Sequence, residues 1–133
     1  MAKPDRLLEL LPDLRALQNL QWLTVMNCTG LKGEEALSGL TSLAGLQRLD
    51  LIRCSGLERL PDLRASQHLN TLELSYCTGL KGAEALSGVT NLVGLKYLDL
   101  NGCTGLKSGA VAALRKTLPK ECQIIGPDGN VVE

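Results

Sequence analysis

Leu20-Gln21-Trp22-Leu23-Thr24-Val25-Met26-Asn27-Cys28-Thr29-Gly30-Leu31 reads as L-x-x-L-x-[LV]-x-x-C-x-x-L, and the chain carries this pattern four times. The other copies run Leu46–Leu57, Leu69–Leu80 and Leu95–Leu106, with Cys54, Cys77 and Cys103 in the place of Cys28. The L-x-[LV] alternation is the period-2 signature of a strand with one buried face. The cysteine and the glycine two residues later are expected to turn the chain away from the strand.

These motifs resemble the leucine-rich repeat, in the subtype with Cys in place of Asn at the turn. The resemblance covers nearly the whole chain. It implies an α/β fold: a right-handed horseshoe segment of solenoid with a parallel β-sheet on the concave side. Short helices and 3-10 turns would form the convex side. It implies function only broadly, because this fold carries many unrelated binding roles.

A chain of 133 residues is ordinarily one domain. Lys+Arg and Asp+Glu both total 14, so there is no basic footprint for nucleic acid. No apolar run reaches the ~18 residues of a membrane span. Met1-Ala2-Lys3-Pro4-Asp5-Arg6 does not lead into a secretory signal, and a cytoplasmic location is expected. Aromatics are limited to Trp22, Tyr76 and Tyr97, as a core of stacked leucines allows.

The four ladder cysteines are spaced by 26, 23 and 26 residues, which matches no zinc pattern. They read as a structural column of small buried thiols: Cys28, Cys54, Cys77 and Cys103. Stacked rungs lie roughly 5 Å apart, within disulfide range by distance alone. Ladder side chains point inward in parallel, however, and an intracellular chain is kept reduced. Cys122 lies outside the ladder and has no assigned role.

Residues 1–19 resemble an incomplete repeat or cap, since the stretch from Leu8 to Ala16 aligns with Leu57 to Ala65 but lacks its preceding strand. A helical turn over Pro4–Leu11 is expected, with Leu7, Leu8, Leu10 and Leu11 folded back on the core or leaving a sticky end. Repeats follow at 20–45, 46–68, 69–94 and 95–118, alternating long and short until the pattern changes. The long ones offer one or two helical turns at Gly33–Gly39 and Gly82–Gly88. In the short one Pro61 argues for an extended or 3-10 path. Ser108 is expected to N-cap a helix to about Leu118 that turns Val111, Leu114 and Leu118 inward. Residues 119–133 then read as a strand at Cys122–Ile125, a turn at Gly126–Asn130, and a closing hairpin through Val131 and Val132.

Aligned on itself, 11–59 against 60–108, the chain is identical at 30 of 49 positions. Ten positions per copy should face solvent on the strand side. Nine of them differ, and only Asp50 and Asp99 match. Elsewhere Arg15/Arg64, Lys32/Lys81 and Ser38/Ser87 are kept. A recognition surface would look like this, because solenoids present their concave faces to partners. The alternative is that strand faces simply tolerate substitution best.

That face is expected to join bulky Trp22, Met26, Ile52, Tyr76 and Tyr97 to a repelling column of Asp50, Glu73 and Asp99 beside Thr24. Arg48 and Arg53 lie close enough to neutralise part of the column. A basic amphipathic peptide or protein would suit such a surface. The column alone has too few ligands for a metal site, and no cofactor is implied. His68, the only histidine, reads as a solvated loop residue, and neither a P-loop nor H-E-x-x-H occurs. The expectation is a non-enzymatic protein-binding module. The alternative is a structural module that self-associates through its N-terminal end or forms a piece of a longer solenoid, and an enzyme comes third.

Overall fold

A computed structural model describes residues 14–32 and 34–133. Each repeated motif forms one strand: β1 Trp22–Met26, β2 Arg48–Ile52, β3 Thr71–Glu73 and β4 Tyr97–Asp99. β5 Gln123–Ile125 and β6 Val131–Val132 follow, and all six lie in one sheet in chain order. The first five are parallel, and β6 returns antiparallel on β5 as the expected hairpin. The register aligns the repeats residue for residue, so Leu23, Leu49, Leu72, Leu98 and Ile124 stand side by side. The expected turn over Pro4–Leu11, the fold-back of its leucines and the missing strand of the first repeat lie outside the described residues. No helix among the described residues is long and apolar enough to cross a membrane.

The alternation works as the pattern implies. Val25, Leu49, Leu51, Leu72, Leu74, Leu98, Leu100 and Ile124 are buried, whereas Leu23 on the first strand is half-buried. The core fills the space between the sheet and the return paths, which add Leu31, Leu37, Leu57, Leu60, Leu86 and Leu95. In both long rungs the return path is a 3-10 helix, Glu34–Leu40 and Ala83–Val89. The short rung, as Pro61 requires, runs extended, and Leu60 and Leu63 donate their N–H groups to Ala85 and Gly88 of the next helix at 2.9 Å.

The chain turns at each cysteine and the glycine two residues later, as expected: Leu31, Leu57, Leu80 and Leu106 donate their N–H groups to the carbonyls of Cys28, Cys54, Cys77 and Cys103 at 3.1–3.3 Å. The glycine itself is not left-handed. A Cβ on Gly56 would lie 2.1 Å from the Thr29 carbonyl oxygen, so its role is to let neighbouring rungs touch. Gly88 is tighter still, with a Cβ falling 1.9 Å from the Pro61 carbonyl oxygen. The left-handed residue is instead the one before each cysteine: Asn27, Arg53, Tyr76 and Gly102, at φ 59, 58, 61 and 79°. Each donates its N–H to the following rung, to the carbonyls of Ile52, Ser75, Asn101 and Pro127 at 2.8–3.0 Å.

Nor are the ladder cysteines merely apolar filler. The thiols of Cys77 and Cys103 point back to the previous rung and donate to the carbonyls of Leu51 and Leu74 at 2.9 Å. Cys54 makes the corresponding, longer contact to Val25 at 3.7 Å. All five cysteines are free and buried. The helix α1 spans Ser108–Thr117, but Lys107 is its N-cap and Ser108 its first residue, without a side-chain cap. Val111, Leu114 and Leu118 are buried as expected. Arg115 satisfies the carbonyls of Pro119 and Cys122 past its end, tying Cys122 into the closing turn.

Two measurements test this packing. Burial pushes the Cys103 thiol up to about 11 and raises that of Cys122. A hydrogen bond between Cys54 and Cys77, then burial, raises Cys77, while the same bond lowers Cys54, which is fully buried. At pH 8 all five cysteines should therefore alkylate slowly in the native protein and rapidly in denaturant. The folded state holds the Cys103 proton that an unfolded thiol releases near pH ~8.5. Its contribution to stability is complete below that pH and is lost as pH rises through about 11. In the second measurement, Gly88→Ala should destabilise by about 1–3 kcal/mol through overpacking. Gly109→Ala, in α1 with open space at its Cβ, should stabilise by about 0.4–1 kcal/mol. Urea midpoints of the two variants should move in opposite directions.

Candidate functional site

The outward residues of the strands form three rows across the sheet. Trp22, Arg48, Thr71 and Tyr97 make the first, and Thr24, Asp50, Glu73 and Asp99 the second. Met26 and Ile52 begin the third. Tyr76 stands just beyond the strands, at the left-handed position. All eleven residues singled out from sequence for this face, Arg53 among them, thus belong to these rows or their margin.

Their exposure is uneven. Trp22 is 60% exposed, Met26 45% and Tyr76 42%, whereas Ile52 and Tyr97 are half-buried. Asp50, expected to stand in solvent, is only 3% exposed. It lies on the outer face but is roofed by its neighbours. Its Oδ2 accepts from Trp22 Nε1 and Thr24 Oγ1, both at 3.0 Å. Arg48 Nε donates to both of its oxygens, at 3.0 and 3.2 Å. The Arg48 guanidinium also lies 4.6 Å from the centroid of the Trp22 ring. Strand periodicity makes this cluster: residues two apart share a face, and residues one rung apart are neighbours.

Arg48 neutralises part of the acidic column, as expected, and the column's other members find further partners. Arg48 spans two rungs and also reaches Glu73, at 3.4 Å, while Ser75 Oγ donates to the other Glu73 oxygen at 3.2 Å. Asp99 accepts from its own flanks, Tyr97 Oη at 3.3 Å and the Asn101 N–H at 2.8 Å. Burial, then the Asp99 charge, raises the Tyr97 phenol above its ordinary value. Sequence reasoning did not find the Asp50 hub. The signal was there, because Asp50/Asp99 is the single face pair kept in the internal duplication.

Arg53 does not neutralise the column. Its guanidinium stacks on Tyr76 instead, 4.6 Å from the ring centroid. Tyr76 in turn covers the backbone of Gly102, where a Cβ would lie 2.3 Å from the ring. His68 is exposed on the return loop of the short rung. At the far end of the sheet a groove of about 530 Å³ opens between α1 and the β5–β6 hairpin. No cluster of metal-ligating side chains occurs among the described residues. Chemically, the face offers a hydrogen-bonded indole, exposed thioether and aromatic surface, and an arginine placed over a tyrosine ring.

A family model described as R13L1/DRL21 LRRs matches residues 2–77, more than half of the chain, through the third ladder cysteine. No curated protein and no solved structure gives a match.

The Asp50 hub makes a quantitative claim. Asp50→Ala removes a buried carboxylate that accepts from three side chains, and should cost about 1–3 kcal/mol. Glu73→Ala breaks a longer, partly exposed pair and should cost about 0–1 kcal/mol. Leu49→Ala opens the core and should cost about 2–5 kcal/mol. Chemical denaturation ranks the three. Trp22, the sole tryptophan, should also lose fluorescence anisotropy in Asp50→Ala but not in Glu73→Ala.

Proposed function

We propose that this chain, which belongs to the R13L1/DRL21 family of leucine-rich repeats, is a non-catalytic module that binds a protein or peptide partner across the exposed face of its sheet. On this reading residues 1–133 are a single domain and a short solenoid, with the sheet on its concave side. The observation that carries the proposal is Trp22. It is the largest side chain of the face, it is 60% exposed, and its indole is fixed by Asp50 and Arg48. Exposing so much aromatic surface forgoes burial worth roughly 1.5–3 kcal/mol for a large apolar side chain. Fixing the ring beforehand reduces the entropy lost when a partner covers it. Trp and Tyr are the residue types that dominate interface energetics. The cellular location proposed is the cytoplasm, which suits five free thiols.

The alternative, a self-assembling repeat module, draws on one feature. Among the described residues β1 pairs only with β2, and Leu17 beside it is 49% exposed. The two readings separate by experiment. Trp22→Ala combined with Met26→Ala should abolish capture of partner proteins from a lysate and leave the circular dichroism spectrum unchanged. The wild-type chain should elute at monomer mass across a hundredfold range of concentration. A mass that rises with concentration, together with unchanged capture by the double variant, moves self-association ahead.

A further inference from the structure

The row just past the strands holds an observation that neither packing nor the repeat explains. Its four members, Asn27, Arg53, Tyr76 and Gly102, all have left-handed backbone. Glycine adopts that conformation without penalty, and asparagine is enriched there. Arginine and tyrosine are neither, yet they occupy the two central rungs. Strained residues persist where the surrounding structure holds them, and they gather at functional sites. What the strain obtains here is placement: the Arg53 guanidinium lies over the Tyr76 ring, and the Tyr76 ring lies against Gly102.

The charges of the face differ in their availability. Asp50 and Glu73 are engaged by Arg48, and Asp99 by Tyr97 and Asn101. Arg53 is exposed and has no carboxylate partner among the described residues; the Tyr76 ring orients its planar fork of donors without consuming them. Beside it stand Met26, 45% exposed, and half-buried Ile52, one rung apart in register. A preset guanidinium with free donors matches a carboxylate, and its stacking lowers the ordering cost of the contact.

We propose that the Arg53–Tyr76 stack is a carboxylate receptor, and that the segment bound on this face is acidic and apolar. An Asp or Glu side chain of the partner would pair with Arg53, and a neighbouring bulky apolar residue would cover Met26 and Ile52. This rests on the sheet-face reading of function and adds the chemistry of the partner. It also reverses the basic partner that the acidic column suggested, because that column is satisfied from within.

The test pans a random dodecapeptide display library on the wild-type chain and measures Kd for the enriched peptide. The enriched set should carry an Asp or Glu at a fixed offset from a bulky apolar residue. Arg53→Gln should weaken binding about tenfold, as should the Asp→Asn or Glu→Gln change in the peptide. The two changes together should cost little more than either alone, because they remove one contact. Arg53→Gly should lose the same affinity while its melting temperature holds or rises, since glycine relieves the backbone. A basic or acid-free consensus, an empty selection, additive losses in the double change, or a clearly destabilised Arg53→Gly would each overturn the proposal. Trp22→Ala separates it from the broader reading. If that variant loses binding while Arg53→Gln does not, the sheet face binds but the carboxylate receptor is wrong. If the peptide binds both Trp22→Ala and Arg53→Gln as well as wild type, the face itself is wrong.

Discussion

Neighbouring rungs are tied together at the same point, just beyond the strand, and the rest of the structure depends on that stitch. The left-handed residue gives its N–H forward: Asn27 to Ile52, Arg53 to Ser75, Tyr76 to Asn101 and Gly102 to Pro127. The cysteine that follows gives its thiol hydrogen backward, from Cys77 to Leu51 and from Cys103 to Leu74. A buried carbonyl left without a donor costs more than an ordinary hydrogen bond contributes. A small donor is therefore needed at that place in every turn, and Cys meets the need with little bulk. Once the stitch is made, the parallel register follows, and the leucines stack without choice.

The same stitch determines what the outer face can be. A fixed register places residues of successive rungs side by side across the strands, within reach of long side chains. Arg48 can therefore serve Asp50 on its own strand and Glu73 on the next. Three acidic residues in one row would repel if nothing else were near. With Arg48, Trp22, Thr24, Ser75 and Tyr97 beside them, they become the framework that holds the aromatic side chains in place. The Arg48–Asp50 pair is nearly buried on its acidic side, whereas Arg59–Glu84 on a return path has its carboxylate largely in solvent. Only the first has the low-dielectric surroundings in which such a pair holds a fixed geometry.

How much of this was legible follows from the range of each signal. Strand positions, inward leucines and register recur with the motif of Leu20–Leu31, and the closing hairpin is marked by its own local turn at Gly126–Asn130. The roof over Asp50 is not local. It needs Trp22 from one rung and Arg48 from the next, and no periodicity in either strand reports on that contact. The left-handed residue was hidden differently. The glycine nearby drew attention as the turn residue, while Arg53 and Tyr76 bear no turn signature at all. Gly56 is small because Thr29 of the previous rung presses on it, a crowding visible only once the rungs are stacked. Long return paths settled as 3-10 rather than α because seven residues must span the rung while Leu37 and Leu40, or Leu86 and Val89, still reach the core.

The internal duplication gains meaning from this geometry. Copying the unit carried over the parts that hold rungs together: the ladder cysteines, the close-contact glycines and the inward leucines. It also carried over an aspartate in the second row, and in each copy that aspartate accepts from the residue two before it, Arg48 in one and Tyr97 in the other. The acceptor was kept while its donor changed. A carboxylate between two outward positions can anchor a guanidinium, an indole or a phenol with the same two oxygens. It can therefore act as a fixed socket on which different large side chains are mounted. Around Asp50 the socket is full and nearly dry; around Asp99 it is half-open, with Tyr97 mounted more loosely at 3.3 Å. The left-handed row repeats this arrangement in backbone form, a constant conformation carrying Asn, Arg, Tyr and Gly in turn. A scaffold of this kind changes what it displays without changing how its rungs are joined, and that separation makes the variable face, rather than the frame, the place where a binding specificity would be written.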